Sequence, residues 1–280
     1  MDVSVVYNRH PALAAIIDYF LFFQKADGHP LVYQTFPNTN ICLAIYKHNR
    51  IQRHIDAKTN SCLIQSDGAY YSSCLWGFHH RPFQVQAEGP VEQICINLKA
   101  GALRYFTAKP YTELILTQNV WEELFGSNAS YLLEQVFETA SPLRRAALLE
   151  SFFYKRLQTS YTDQAIQWSL QYIGHKNGDV RVDELATRLN INTSTLFRRF
   201  RSAVGQSPKE YIKTVRFRAA LSDVLKDKDN KLVEVGYQHA YYDQAHFIKD
   251  FTQLAGASPK AIKNGVVVLS SQFVWKKATY

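Results

Sequence analysis

The chain has 280 residues, 46% of them hydrophobic, 14% aromatic and 20% charged, which excludes a disordered or collagen-like polymer and leaves room for two ordinary domains. No run approaches the roughly 20 apolar residues of a membrane helix. The opening Met1-Asp2-Val3 lacks a basic segment followed by an apolar one, so a cytoplasmic protein with no membrane partner is expected. The net charge of +8 is uneven: residues 1–163 hold 14 basic and 14 acidic side chains, and the remainder holds 18 and 10. A neutral part joined to a basic part fits a regulatory module carrying a polyanion-binding module, or a basic solvated surface.

Residues 30–98 read as short strands. Leu31–Tyr33, Ile41–Ile45, Cys62–Ile64, Ala69–Tyr71, Phe83–Val85 and Ile94–Ile96 are apolar runs separated by turn signals. Asp67-Gly68 predicts a hairpin turn. Gln84, Gln86, Gln93 and Asn97 alternate with apolar neighbours, as half-buried antiparallel strands require. The pattern predicts an all-β sandwich or small barrel. Cys42, Cys62, Cys74 and Cys95 form no C-x-x-C pair, so they are expected to be reduced, partly buried thiols. The adjacent His79 and His80 would point to opposite faces of a strand, so no metal is expected. Trp76, Phe78, Tyr70, Tyr71 and Phe83 either form core or line an apolar pocket.

Near residue 100 the period becomes helical. Ala102, Tyr105 and Phe106 share one face, Trp121 and Leu124 another, and Leu132, Leu133, Val136 and Phe137 a third. Ser141-Pro142 then reads as a cap and first position of a long helix, Leu143 to Leu157, with Ala147, Leu148, Phe152 and Leu157 as its apolar side chains. That segment, 143–157, packs either on the barrel or on a second copy in a homodimer.

After residue 163 the chain is helical, with breaks at 174–179, 206–207, 226–230 and 256–258, and its last stretch, Val266–Trp275, is β-prone, either docked as a strand or frayed. This half contains a repeat. Phe200, Gly205, Ser207, Pro208 and Lys209 recur as Phe251, Gly256, Ser258, Pro259 and Lys260, at a constant offset of 51. Val182, Leu185, Ala186 and Leu189 make one helix face; Asn190-Ile191-Asn192 supplies a turn and a cap; Leu196, Phe200 and Val204 make the inner face of a second helix ended by Gly205. Two short helices joined by a three-residue turn form a helix-turn-helix, whose second helix enters the DNA major groove. The outer face of helix 193–204 carries Thr193, Ser194, Phe197, Arg198 and Arg201, suited to base edges and phosphates. Phe197 either touches a thymine methyl or packs on the neighbouring helix.

In the second copy Asp243 caps helix 243–255; Phe247, Phe251 and Leu254 face inward, while Gln244, Lys249 and His246 face outward, His246 reading equally as a packing or capping residue. Asp250 replaces Arg199 and would be repelled by phosphate, predicting a weaker electrostatic anchor. Between the copies, Pro208–Leu225 reads as one rigid helix with Tyr211, Ile212, Val215, Ala219 and Ala220 inward and Lys213, Arg216 and Arg218 supplying charge.

Residues 164–263 resemble the DNA-binding domain of the AraC-type bacterial transcription regulators. The resemblance is carried by Leu185-Ala186, Leu196-x-Arg198-x-Phe200, Gly205-x-Ser207-Pro208, Arg216 to Leu221, Asp243 to Phe247 and Gly256-x-Ser258-Pro259. It implies two helix-turn-helix units on one chain and roles for Ser194, Phe197, Arg198, Gln244, His246 and Lys249 in reading DNA. The chain departs from that pattern with Gly236 where alanine is usual and Ala240 where glycine is usual. A helical glycine costs about 0.5–1 kcal/mol and a left-handed alanine about 1–2 kcal/mol, which predicts a distorted or mobile second turn. More loosely, His10-Pro11, Ile17–Phe20, Gly77, Arg81-Pro82, Gly89 and Leu98–Ala102 resemble the cupin-like sensor domain of one AraC-type subgroup.

The expected architecture is therefore an N-terminal all-β, cupin-like barrel with flanking helices for sensing and dimerisation (1–160), a C-terminal all-α double helix-turn-helix domain (161–265) and a tail (266–280). The expected function is sequence-specific regulation of transcription on double-stranded DNA, with recognition helices 193–204 and 243–255 in successive major grooves. No catalytic residue, cofactor or metal is expected. A small-molecule effector and RNA polymerase are the further partners the resemblance suggests. The competing reading is a cupin-type enzyme or metabolite-binding protein with an appended helical domain, although no G-x-S-x-G, H-E-x-x-H, P-loop or G-x-G-x-x-G motif occurs.

Overall fold

The computed structural model describes residues 1–56, 59–159, 161–226 and 232–263, side chains of 69 and 70 excepted, together with the backbone of 266–269 and 272–276. Seven strands precede the helices: β1 (Asp2–Tyr7), β2 (Ile17–Lys25), β3 (Leu31–Thr35), β4 (Ile41–Ile55), β5 (Asn60–Trp76), β6 (Phe83–Glu88) and β7 (Val91–Leu98). Two more, β8 (Val266–Leu269) and β9 (Gln272–Lys276), come from the end of the chain. The sheet order is β1-β2-β7-β4-β5-β6-β3-β9-β8, with β5 and β6 parallel and the other neighbours antiparallel. The β-prone tail is thus a hairpin docked on β3, pairing Tyr33 with Lys276 and Thr35 with Val274.

Side chains alternate across the pleat, so β2, β4 and β7 divide their residues between two cores. Phe20, Phe22, Leu43, Ile45, Ile94 and Ile96 face one way, towards Trp121, Val136, Leu149 and Phe153 of the covering helices. Tyr19, Leu21, Cys42, Ala44, Tyr46 and Cys95 face the other way, into the barrel with Cys62, Phe83 and Val85. This corrects the expected alternation on β7. Gln93 and Asn97 are 7% and 0% exposed, because helices cover one face of that strand and the barrel interior lies on the other. All four cysteines are free and buried.

Asp67-Gly68 is not a hairpin turn. β4 and β5 reverse between Ile55 and Asn60, and β5 continues through residues 67–70 as a bulge. Lys47 pairs with Tyr71 and Asn49 with Ser66, leaving His48 at φ 56° opposite four residues. Buried Asn49 holds the bulge: its Nδ2 donates to the Pro90 carbonyl at 2.9 Å, and its own carbonyl accepts from Ser72 Oγ at 2.7 Å. A bulge and a turn demand the same permissive residues, so the dipeptide alone does not separate them.

The covering helices are α1 (Tyr111–Leu114), α2 (Val120–Phe125), α3 (Ser130–Glu138) and α4 (Pro142–Tyr154). Ser141 caps α4, accepting from Arg144 N. The buried face of α4 is Ala146, Leu149, Phe152 and Phe153, shifted from the predicted Ala147, Leu148, Phe152 and Leu157, and Leu157 lies beyond the helix end. α4 packs on β1, the 3-10 turn Pro11–Leu13 and α3, while Leu143 and Tyr154 remain 53% and 50% exposed.

The helical part contains α5 (Gln164–His175), α6 (Val182–Arg188), α7 (Thr193–Val204), α8 (Pro208–Lys226), α9 (Leu232–Gln238), α10 (Gln244–Ala255) and α11 (Pro259–Lys263). Two cores share α8. Tyr211 and Ile212 join Leu185, Leu196, Phe200 and Val204. Phe217, Ala220, Leu221 and Val224 join Val235, Phe247, Phe251 and Ile262. The long helix therefore contributes to both units.

Candidate nucleic-acid interface

The two helix-turn-helix units are built from the same local devices. Asn192 accepts a hydrogen bond from Thr195 N at 2.7 Å and caps α7; Asp243 accepts from His246 N at 2.7 Å and caps α10. Gly205 (φ 91°) and Gly256 (φ 71°) end these helices in the left-handed conformation. Ser207 and Glu210 form a reciprocal capping box that starts α8: Ser207 N donates to Glu210 Oε2 at 2.8 Å, and Glu210 N donates to Ser207 Oγ at 3.2 Å.

The second turn is not distorted, contrary to the expectation from Gly236 and Ala240. Ala240 takes φ 53° where Asn190 takes φ 52°. Tyr241 N donates to the Gly236 carbonyl at 3.1 Å, just as Ile191 N donates to the Ala186 carbonyl at 3.0 Å. One extra residue, Tyr242, then precedes the cap. Glycine at 236 has a packing reason, since a Cβ there would lie 3.3 Å from Phe247 Cβ.

On α7, Thr193, Ser194, Phe197, Arg198 and Arg201 are all exposed, Phe197 to 44%. They lie opposite the buried Leu196, Phe200 and Val204. On α10, Gln244 and Lys249 are exposed. His246 is half-buried: its Nδ1 accepts from Tyr242 N at 3.4 Å, and its Nε2 lies 3.5 Å from Asp250 Oδ2. The geometry gives this ring a capping contact as well as a place on the outer face. Sequence reasoning passed over Tyr242 and Tyr237, 88% and 64% exposed beside α10; the extra residue before the cap was the signal available.

The charges differ from expectation. Arg199 does not face outward. Its Nε and Nη2 donate to Asp163 Oδ2 and Oδ1 at 2.6 and 2.5 Å, tying α7 to the cap of α5. Burial pushes the Asp163 carboxyl up, but Arg199 and two backbone N–H donors outweigh it and hold the carboxyl below the usual range. Asp250, at the corresponding position, pairs with Lys213 Nζ at 3.0 Å. Both positions are therefore spent inside the protein, and the predicted repulsion at Asp250 is largely cancelled. The α8 cations are likewise not free surface charge. Lys213 holds Asp250, and Arg216 Nη2 donates to the Gly178 carbonyl at 3.0 Å. Arg218 lines a cavity inside the barrel, where burial lowers its pKa to about 10.

The barrel part meets both recognition helices at their C-terminal ends. A Cβ on Gly205 would overlap the ring of Tyr111, a buried α1 residue, and a Cβ on Gly256 would come 2.9 Å from Pro82 Cγ. Phe78 bridges Tyr111 and Tyr211, with ring centroids 5.7 and 6.3 Å away. Phe36 enters the second helical core. His79 and His80 lie in the loop between β5 and β6, not on a strand. His79 lines the cavity, with its pKa pushed down to about 4 by burial, and His80 Nε2 approaches Glu210 at 3.5 Å. No group of three or more metal-ligating side chains converges among the described residues. None of the described helices is long and apolar enough to cross a membrane.

Comparison with known proteins agrees with this construction. Residues 185–265, which hold both reading helices, match a family described as a helix-turn-helix domain, and residues 6–119 match a domain of unknown function (DUF6597). The Msm operon regulatory protein of Streptococcus mutans serotype c is 28% identical over 124 residues, 43% of this chain and 44% of that protein. The lactose operon transcription activator of Staphylococcus xylosus is 29% identical over 98 residues, 35% of each. The chain thus matches less than half the length of these relatives. ToxT from Vibrio cholerae superposes with a TM-score of 0.45 at 11% identity, over 87% of this chain and 97% of that one. The motif residues of both units thus fall within the stretch that matches the helix-turn-helix family.

Proposed function

We propose that the chain is a cytoplasmic, sequence-specific DNA-binding transcription regulator, not an enzyme, whose α7 and α10 enter successive major grooves on one face of the duplex. The observation that carries this is the duplicated unit: two helices with matching caps, buried inner faces and exposed polar outer faces, in the basic part of the chain. Arg198 and Gln244 discriminate bases, each on the order of 1–3 kcal/mol. Arg201 and Lys249 hold phosphates and set the salt dependence. Thr193 and Ser194 add hydroxyl contacts at the start of α7, Phe197 meets a thymine methyl, and His246 positions the start of α10.

The division into a sensor part (1–160), a DNA-binding part (161–265) and a tail (266–280) is part of the same proposal. So are a cupin-like barrel that receives a small effector, a homodimer through the outer side of α4, and contact with RNA polymerase. The test is a footprint of the full chain on its own upstream DNA, followed by titration of Arg198→Ala. Specific binding should fall far more than non-specific binding; equal losses would remove the assigned role.

A further inference from the structure

The two helix-turn-helix units are unequal in charge. Residues 182–204 carry four arginines against two carboxylates, whereas residues 232–255 carry one lysine, Lys249, against three. Lys213 of α8 cancels Asp250 but is spent in doing so. The hold of the second unit on a phosphate backbone therefore has to come largely from neutral donors, and tyrosine and glutamine side chains serve as such.

One neutral donor stands at the end of α10 that leads into the groove. Tyr242 is the residue by which the second turn exceeds the first, and it directly precedes the Asp243 cap. Its neighbour Tyr241 is buried, with its ring centroid 5.1 Å from that of Phe247. Tyr242 N donates to His246 Nδ1 at 3.4 Å. The backbone is thus held and the inner position is taken, which leaves the Tyr242 ring 88% exposed. Among the described residues, none gives that side chain a hydrogen bond or a ring contact.

From this placement we propose that Tyr242 is a neutral backbone anchor. Its Oη donates to a phosphate oxygen at the edge of the groove that α10 enters, and its ring lies against the adjoining deoxyribose. The ligand class is a phosphodiester, and the contact carries no sequence information. The N-terminal residues of a recognition helix reach the base edges, so the residue before its cap lies over the flanking backbone. A tyrosine hydroxyl brings one donor and no charge, so it holds phosphate without releasing a counterion. The proposal rests on the regulator reading above and adds to it a contact that keeps its strength as salt rises, beside the salt-sensitive Arg201 and Lys249.

The test is anisotropy titration of the full chain on its own upstream DNA and on an unrelated duplex of equal length, at several salt concentrations. Tyr242→Phe, which removes only the hydroxyl, should bind both duplexes about tenfold more weakly with the salt slope unchanged. Tyr242→Ala should lose more, again at the same slope. Tyr242→Arg should recover affinity at low salt and steepen the slope by roughly one. Full affinity in Tyr242→Phe, a shallower slope for it, or a loss confined to the upstream DNA overturns the assignment; the last would make Tyr242 a base contact. An unaltered chain that binds neither duplex overturns the regulator reading and the anchor with it. One that binds both, while Tyr242→Phe binds equally well, overturns the anchor alone.

Discussion

The two helix-turn-helix units keep the same skeleton and spend their charges differently. Each has an N-terminal cap from a short polar side chain, a left-handed turn residue, an inner apolar stripe and a C-terminal glycine. Yet position 199 in the first unit is a cation tied to α5, and position 250 in the second is an anion tied to α8. The first unit offers Arg198 and Arg201 outward; the second offers Gln244 and Lys249. Caps and apolar stripes maintain the repeated fold, while the charged positions are free to become braces or contacts. Each unit also rests against the barrel part through a different partner: Tyr111 at the end of α7, Pro82 at the end of α10.

The largest expected effect tests that bracing. Gly205→Ala places a Cβ in a left-handed residue, at about 1–2 kcal/mol, and drives it into the buried Tyr111 ring, adding about 1–3 kcal/mol. Gly256→Ala bears the same backbone cost but meets only Pro82 Cγ at 2.9 Å, at a half-buried residue. Denaturant unfolding should rank Gly205→Ala as clearly worse. Equal losses would show that the first unit is no more tightly braced than the second.

The next effect concerns DNA. Arg198→Ala and Gln244→Ala should each weaken specific binding by about 1–3 kcal/mol and relax preference at different base positions. Arg201→Ala and Lys249→Ala should weaken binding across all sequences and reduce the salt slope by roughly one each. Anisotropy titrations at several salt concentrations separate the two patterns. A salt-slope change for Arg198→Ala with no change in preference would exchange its role with that of Arg201.

What was legible in the sequence follows from the range over which each signal acts. Caps, turn residues and the four-residue apolar spacing are local, and the helices of the second half lie within a residue or two of their predicted bounds. The outer and inner faces of α7 and α10 were legible for the same reason. The destinations of Lys213, Arg216 and Arg218 were not: each long side chain finds its partner 37 residues or more away in sequence or inside another part of the fold. The brace at Arg199 is not legible for the same reason, since its partner is 36 residues upstream. The bulge at Asp67–Tyr70 depended on pairing with β4, which the dipeptide does not encode. On α4 the apolar side chains are dense enough for two adjacent faces to fit, and only contact with β1 and α3 selects one.

A smaller effect separates brace from contact at position 199. The Asp163 carboxyl is held below its ordinary range in the folded protein, so its pairing stabilises fully above about pH 4, where the unfolded group is also ionised. That contribution is lost as pH falls through the folded value. Asp163→Asn keeps the cap but removes the charge pair. It should cost roughly 0.5–1 kcal/mol near neutral pH, and the gap from the unaltered chain should close below about pH 4. A gap that persists into acid would assign the loss to the cap instead.

The smallest effect bears on the turns. Ala240 and Asn190 share the left-handed conformation, at φ 53° and 52°, but asparagine tolerates it through local hydrogen bonding and alanine does not. Ala240→Gly relieves about 1–2 kcal/mol of backbone strain and returns about 0.5–1 kcal/mol through the extra freedom of the unfolded glycine. A net stabilisation of about 0.5 kcal/mol is expected. Asn190→Gly has little strain to relieve and bears the same entropic cost, so it should be neutral or slightly destabilising. Opposite signs in chemical unfolding would show that the second turn is regular because α9 and α10 hold it there against the preference of its own residue. Equal signs would mean that the strain at Ala240 is relieved elsewhere in the unit.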